Sequence, residues 1–419
     1  MNNIRTIVID PGHGGSNEGT TQNGFLEKDM TLITAKALYD ELTKYDELTV
    51  YMTRTKDKDM DLASRAEYAA SVNADMLISV HYNATLDGDK YGSEIWVPLD
   101  APNHMTGYRF GEVFLQKMQD LGMFVRGIKT RESEDKPGLN YYGIIRAGEE
   151  HGIPTVILEH CHVDMVTDAA MCDSTEELQA FGKADAQAVL EFVGLEPMAR
   201  EYDSFSYNDN TFMTHTAYDL SAPEMCEVSL KEAFYDEGKI EMYVSAMDSD
   251  SPLLYFDYSL DGGFTYGELR PWPQTDPIAN EYADSFTLTI PVEGAAAPKV
   301  CVRAYNMYDV KAESNVFTEF EGTFKGESSI EEAFVEDPMA EEEVVPEETP
   351  APTKAPEQMI GGKDGVVSIS LADTPAPELS PQMQGFLILS IGVAVCIILA
   401  SVFALLRTRL HKKGKNKRK

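Results

Sequence analysis

The stretch TIVIDPGHGG, Thr6 to Gly15, decides the fold class. Ile4 to Ile9 forms an apolar run of the kind buried on both faces of a sheet. It breaks at Pro11-Gly12 into a loop whose glycines let the backbone fold tightly around His13. Helical periodicity follows, with Leu32, Ala35, Leu38, Tyr39 and Leu42 on one face. Outward from there, strands are expected at Leu48–Met52, Met76–Val80, Ser93–Val97 and Thr155–Leu158, and helices at Ser64–Val72, Tyr108–Leu121 and Glu176–Phe192. Such alternation predicts an α/β domain with a mixed sheet over residues 1–195. His13, His81 and Glu159 each stand at the carboxyl end of a strand, the edge where open α/β sheets bind ligands.

At 419 residues the chain is long enough for roughly three domain-sized pieces. Its 35 Lys and Arg against 70 Asp and Glu leave a formal charge of -35, a field that repels a phosphate backbone, so no nucleic-acid partner is expected. The five cysteines are widely spaced with no CxxC pair, which argues against a disulfide scaffold and a thiolate zinc site.

Beyond the first domain the period changes. KIEMYVSA, PLLYFDYSLDGGFTYGEL, SFTLTIPV and KVCVRAYNMYDVKAESNVFTEF alternate as strands, predicting a small all-β sandwich over residues 202–322 that weakly resembles immunoglobulin or fibronectin III modules. Asp261-Gly262-Gly263 is expected to make a tight hairpin turn there, and the sandwich itself to act as a spacer. Residues 326–384 carry 14 acids and eight prolines with a single aromatic, the composition of a solvated, disordered linker. Residues 385–406 are 22 uncharged residues, about 33 Å as a helix, which predicts one transmembrane helix. The basic tail 407–419 is expected on the cytoplasmic side, which places the catalytic domain outside a single-pass cell-membrane anchor, although MNNIRTIVID shows no signal peptide.

Two neutral imidazoles need one further hard or borderline donor to hold a divalent cation, and Glu27, ahead of the first helix, is the candidate third ligand beside His13 and His81. A fourth carboxylate free of the metal, Glu159, is placed to take a proton from water and pass it to a leaving amine. On spacing alone, ordinary core or surface histidines remain an equal alternative.

The motifs DPGHGG (Asp10–Gly15), GFLEKDMTL (Gly24–Leu32), TRTKD with LASRAEYA, SVHYNA (Ser79–Ala84) and GIIRAGEEHGIPTVILE ending at Glu159 stand in this order. In that arrangement residues 1–195 resemble the zinc-dependent N-acetylmuramoyl-L-alanine amidases of the His-Glu-His type. The resemblance implies Zn2+ on His13, Glu27 and His81, Glu159 as catalytic acid/base, and hydrolysis of the amide between the lactyl group of muramic acid and L-alanine in peptidoglycan. The chain departs from the family pattern after Glu159, where it reads His160-Cys161-His162. Strand alternation would put His160 and His162 on one face and Glu159 and Cys161 on the other. Asn83 and Arg146 are candidate substrate-binding residues, while Arg54 and Arg65 match the family motifs but would serve equally well in an internal salt bridge to Asp57 or Asp61 and are left out of the site. Two other readings are a catalytically silent wall-binding scaffold and a zinc amidase or peptidase with another amide substrate. A regulatory protein partner is conceivable but unspecified.

Overall fold

The structure, a computed structural model, describes residues 4–85, 88–99, 102–197, 219–276, 281–292, 296–324 and 334–336. The first domain runs β1 (Thr6–Pro11), α1 (Glu27–Leu42), β2 (Thr49–Met52), α2 (Leu62–Ser71), β3 (Met76–Asn83), β4 (Ser93–Trp96), α3 (Asn103–Asp120), β5 (Val125–Lys129), α4 (Gly143–Glu150), β6 (Thr155–His162), α5 (Val166–Ala169) and α6 (Thr175–Phe192). Its six strands lie in the order β2-β1-β3-β6-β4-β5. β1, β2, β3 and β6 are parallel, β4 runs antiparallel to β6, and β5 is parallel to β4, so the sheet is mixed as the sequence predicts.

Period two explains how this sheet is covered. Along β1, Ile7 and Ile9 point into a core with residues of α1, α3 and α6, while Val8 points into a second core with residues of α2 and α4. Both faces are therefore dry, which is why β1 is apolar throughout. α6 begins on a capping box formed by Ser174 and Glu177, and Asp61 caps α2 by accepting from Ser64 N.

Three elements of this domain go beyond the sequence reading, β5, α4 and the short α5. β5 reads VRGIK, yet all five residues are buried, because Arg126 and Lys129 are neutralised inside the protein. Two charges in five residues hide a strand from any hydrophobic pattern.

The second region contains β7 (Met225–Phe234), β8 (Lys239–Met247), β9 (Leu253–Ser259), β10 (Arg270–Pro271), β11 (Gln274–Asp276), β12 (Glu281–Tyr282), β13 (Ser285–Pro291), β14 (Cys301–Asn306), β15 (Lys311–Glu313) and β16 (Phe334–Glu336). Two four-stranded sheets, β10-β9-β14-β15 and β16-β13-β8-β7, share a core in which Met242, Val244 and Leu288 of one meet Phe256, Val302 and Ala304 of the other. Two expectations change here. Asp261-Gly262-Gly263 is not a tight hairpin: β9 meets β10 only after residues 260–269, a loop organised by Asp261, whose carboxylate accepts from Phe264 N and Thr265 N. Inside the stretch expected to be linker, Phe334–Glu336 pairs with β13. Among the described residues no helix is long and apolar enough to cross a membrane; the expected span at 385–406 and the tail at 407–419 lie outside them.

Candidate metal centre and active-site cleft

The carboxyl ends of β1, β3 and β6 open into a cavity of about 550 Å³. His13 enters it from the loop after β1 with φ 61°, a left-handed conformation uncommon for a non-glycine residue and found disproportionately at functional sites. Gly14 (φ 129°) and Gly15 (φ 60°) continue the turn. Two buried arginines brace this loop. Arg65 Nη1 donates to Asp10 Oδ1 (2.7 Å) and Pro11 O (2.8 Å), and Arg65 Nη2 donates to His13 O (2.7 Å). Arg54 donates through Nε to Pro11 O (2.9 Å) and through Nη2 to Gly12 O (2.7 Å). Neither bridges to Asp57 or Asp61, since Asp57 pairs with Lys28 and Asp61 is spent on its cap. Burial opposes ionisation of Asp10, but Arg65 and hydrogen bonds from Thr53, Arg65 and Ser79 outweigh it and keep its carboxyl below the usual carboxylate range.

Glu27, the first residue of α1, reaches between the two imidazoles. Its Oε1 lies 3.0 Å from His13 Nε2 and 3.0 Å from His81 Nδ1, while its Oε2 accepts from Thr20 N at 2.8 Å. The outer ring nitrogens are engaged elsewhere, His13 Nδ1 with Asn17 Oδ1 (2.9 Å) and His81 Nε2 with Ser79 Oγ (3.2 Å). Each imidazole is thus oriented by a partner behind it and presents its inner nitrogen to the same point. Burial again opposes the charge on Glu27, but His13 and the hydrogen bonds from both histidines hold its carboxyl below the usual range.

His13, Glu27 and His81 offer three ligand atoms within 4.8 Å of one another, the only such group found among the described residues. Two imidazole nitrogens and one carboxylate oxygen, each fixed from behind, fit a divalent cation such as zinc. Two glycines make room for the cluster. A Cβ on Gly12 would stand 2.3 Å from His81 Cε1, and one on Gly19 would stand 2.3 Å from Glu27 Oε2.

Glu159 lines the same cavity from β6, opposite His81 in the ladder. Its Oε2 is buried with no hydrogen-bond partner, and burial together with the charges of Glu27 and Glu94 pushes its carboxyl well above the usual range. Asn83 also lines the cavity, with Nδ2 donating to Glu94 Oε1 at 3.1 Å. Arg146 does not. Its Nη1 donates to the carbonyls of Asn140 (2.7 Å) and Tyr141, so it supports the loop entering α4 instead of facing the cleft.

The residues after Glu159 separate to different environments. His160 packs against Tyr82, Phe114 and Phe181, with Nε2 3.0 Å from Asp185 Oδ2 and Nδ1 3.0 Å from His81 O. His162 instead lines the cleft, its Nε2 buried and without a hydrogen-bond partner, so the two do not share one face; the ladder shifts register between His81 and Asn83, opposite this point. Cys161 lies in the core with its Sγ 3.4 Å from Cys172 Sγ, and burial, with Cys172 adding to it, pushes the thiol far above a reactive range.

A second polar group sits beside Glu159 that sequence reading misses. Because β4 is antiparallel to β6, its early residue Glu94 pairs with Glu159. Glu94 Oε2 accepts from Arg126 Nε (2.7 Å) and Lys129 Nζ (2.6 Å). Burial resists ionisation of Glu94, yet Lys129 and Arg126 overcome it and keep the carboxylate charged. Tyr308 and Asp309, from the turn between β14 and β15, complete the lining of the cleft. No pattern in the sequence marks those two, since a turn in a sandwich carries no sign of which neighbour it meets.

A mixed α/β sheet thus carries at its carboxyl edge a His-Glu-His cluster whose donor set fits a divalent cation. The family model described as N-acetylmuramoyl-L-alanine amidase matches residues 7–191, and this domain belongs to that family. The chain is 32% identical over 185 residues to the N-acetylmuramoyl-L-alanine amidase CwlM of Bacillus licheniformis, a match spanning 44% of this chain and 66% of that protein. It is 30% identical over 184 residues to the sporulation-specific N-acetylmuramoyl-L-alanine amidase of Bacillus subtilis, spanning 44% and 66%. In both cases the match spans just under two thirds of the relative's length. Among solved structures, Cwp6 from Clostridium difficile is 31% identical, with 45% of this chain and 29% of that one covered and a TM-score of 0.42.

Proposed function

We propose that this protein hydrolyses the amide between N-acetylmuramic acid and L-alanine in peptidoglycan, with zinc held by His13, Glu27 and His81. The observation that carries this reading is the convergence of those three donors beside Glu159 in a domain of the amidase family. When bound, zinc supplies Lewis-acid polarisation of the lactyl carbonyl and brings the pKa of the attacking water towards about 7. The protein's own groups do the rest. Glu159 Oε2, free of competing hydrogen bonds, takes the proton of the attacking water and returns it to the departing amine of L-alanine. Arg65 and Arg54 keep the His13 loop rigid while this happens, and Asn17 and Ser79 hold the imidazole rings in orientation.

The 22 uncharged residues at 385–406 and the cations after them support a membrane anchor with the catalytic domain outside the cell. Reporter fusions on either side of Gly385 test that topology; equal reporter behaviour on both sides would remove the span.

The activity itself is tested on the full chain with insoluble peptidoglycan, by assaying newly freed L-alanine amino groups with and without a zinc chelator. Release that stops with chelator and returns with zinc is expected. Glu159→Gln is expected to bind zinc at full stoichiometry with turnover lowered by at least about 100-fold. Equal cleavage of plain peptides would shift the substrate to another class of amide.

A further inference from the structure

The β-sandwich is built into the catalytic cleft. Tyr255, fully buried, receives a hydrogen bond from Arg126 Nη1 (2.7 Å), donates to Tyr91 O, and packs against the rings of Tyr91 (4.9 Å) and Phe124 (5.2 Å). Arg126 Nη2 donates to Asp309 Oδ2 at 2.9 Å. A spacer on a tether would leave Arg126 and these rings to water. Here the guanidinium is shared between Glu94 of the first domain and Asp309 of the second.

The turn carrying Asp309 is pre-formed. Asn306 Oδ1 accepts from both Tyr308 N and Val310 N at 3.0 Å, and Asp309 adopts φ 63°, a strained choice for a non-glycine residue. That conformation sets Tyr308 at the cleft, its hydroxyl accepting from Thr130 N (3.3 Å) and its ring 6.4 Å from Trp96, which lies 4.9 Å from Tyr142. Lys129 Nζ stands 5.5 Å from the Trp96 ring centre and 5.8 Å from that of Tyr308. Tyr142, Trp96 and Tyr308 thus line the same cavity as Glu94 and Glu159, each an aromatic ring with a polar edge. A pyranose ring offers the complementary surface, a CH face bordered by hydroxyls.

We infer that Tyr308 is a specificity-determining residue that stacks on the sugar ring of the muramyl substrate, and that Asp309 is a positioning residue holding it there. This rests on the amidase reading of the same site. It makes the sandwich part of the active site.

The full chain and its Tyr308→Ala, Tyr308→Phe and Asp309→Asn variants are compared on a disaccharide-tetrapeptide and on the matching lactyl-tetrapeptide, which keeps the scissile amide but lacks the sugar. Loss of one stacked ring should lower kcat/KM on the disaccharide substrate roughly tenfold, mainly through KM. On the lactyl-tetrapeptide the loss in kcat/KM should be markedly smaller than on the disaccharide substrate, so the ratio between the two substrates carries the reading. Tyr308→Phe should retain wild-type behaviour, and Asp309→Asn should fall between. Calorimetric titration with the peptide-free disaccharide, which needs no turnover, should show the same weakening for Tyr308→Ala. Equal loss on both substrates, or no loss in rate and in disaccharide affinity, overturns the inference. An inactive wild type whose disaccharide binding still depends on Tyr308 would sink the amidase reading and leave this subsite standing.

Discussion

Replacing Gly12 with alanine tests whether the site depends on close approach of the β1 loop to His81. Gly12 is not in a left-handed conformation, so alanine is compatible with its backbone. The obstacle is the ring of His81, since the new Cβ would stand 2.3 Å from Cε1, 2.5 Å from Nε2 and 2.7 Å from Nδ1. Ordinary carbon contacts need about 3.5 Å, so the imidazole must retreat by about 1 Å. Gly12 N is bonded to Val80 O at 3.0 Å within the sheet, so the ring yields and the backbone does not. Moving one ligand by that distance should cost on the order of 100-fold in turnover, or about 2.7 kcal/mol on the barrier. Metal affinity should weaken by roughly 10- to 100-fold, as when the support of a ligand is lost. The assays are amine release from peptidoglycan, zinc content after dialysis against a graded chelator, and far-UV circular dichroism to confirm the fold. Activity and zinc affinity within threefold of wild type would refute the reasoning, because the clash would then have been relieved without moving His81.

Arg65→Met removes the guanidinium from Asp10, Pro11 and His13 and leaves a buried carboxylate unpaired, which should cost about 3–5 kcal/mol and be read as a fall in Tm of roughly 10 °C; an unchanged Tm would mean the brace is not structural. The acid sensitivity of the zinc-loaded protein should trace in part to His162, whose imidazole is pushed down to about 3 by burial and the adjacent Arg126, with Glu94 and Asp309 opposing. Between about pH 6.5 and 3 the unfolded chain takes a proton that the folded one refuses, so this contribution is full above about pH 6.5 and is lost as pH falls. From pH 6.5 to 5 it amounts to about 2 kcal/mol, and His162→Gln should flatten the denaturant-measured slope across that interval; an identical slope would place the titration elsewhere. Glu94, held below its usual range, adds to the loss only below about pH 4.5.

Much of the first domain is legible in its sequence because its signals are local. The apolar β1 run, the helical face of α1 and the Ser174–Glu177 cap report their own structure. The four chemistry-bearing residues are legible because each stands in a dense local motif: His13 among glycines, Glu27 before a helix, His81 and Glu159 closing apolar strands. β5 is hidden for the opposite reason. Its Arg126 and Lys129 look exposed until Glu94 and Asp309, far off in the sequence, are found beside them.

The sequence by itself therefore determined the α/β class, the all-β region after it, and the candidates His13, Glu27, His81 and Glu159 that the structure brings to one cavity, because periodicity and short motifs are properties of neighbouring residues. Only the tertiary structure decided that β4 runs backwards and brings Glu94 to Glu159, that Arg54 and Arg65 brace the His13 loop, and that Tyr308 and Asp309 face the cleft. Those contacts join segments dozens to nearly two hundred residues apart, and their partners are chosen by strand order and domain packing, which no local pattern encodes.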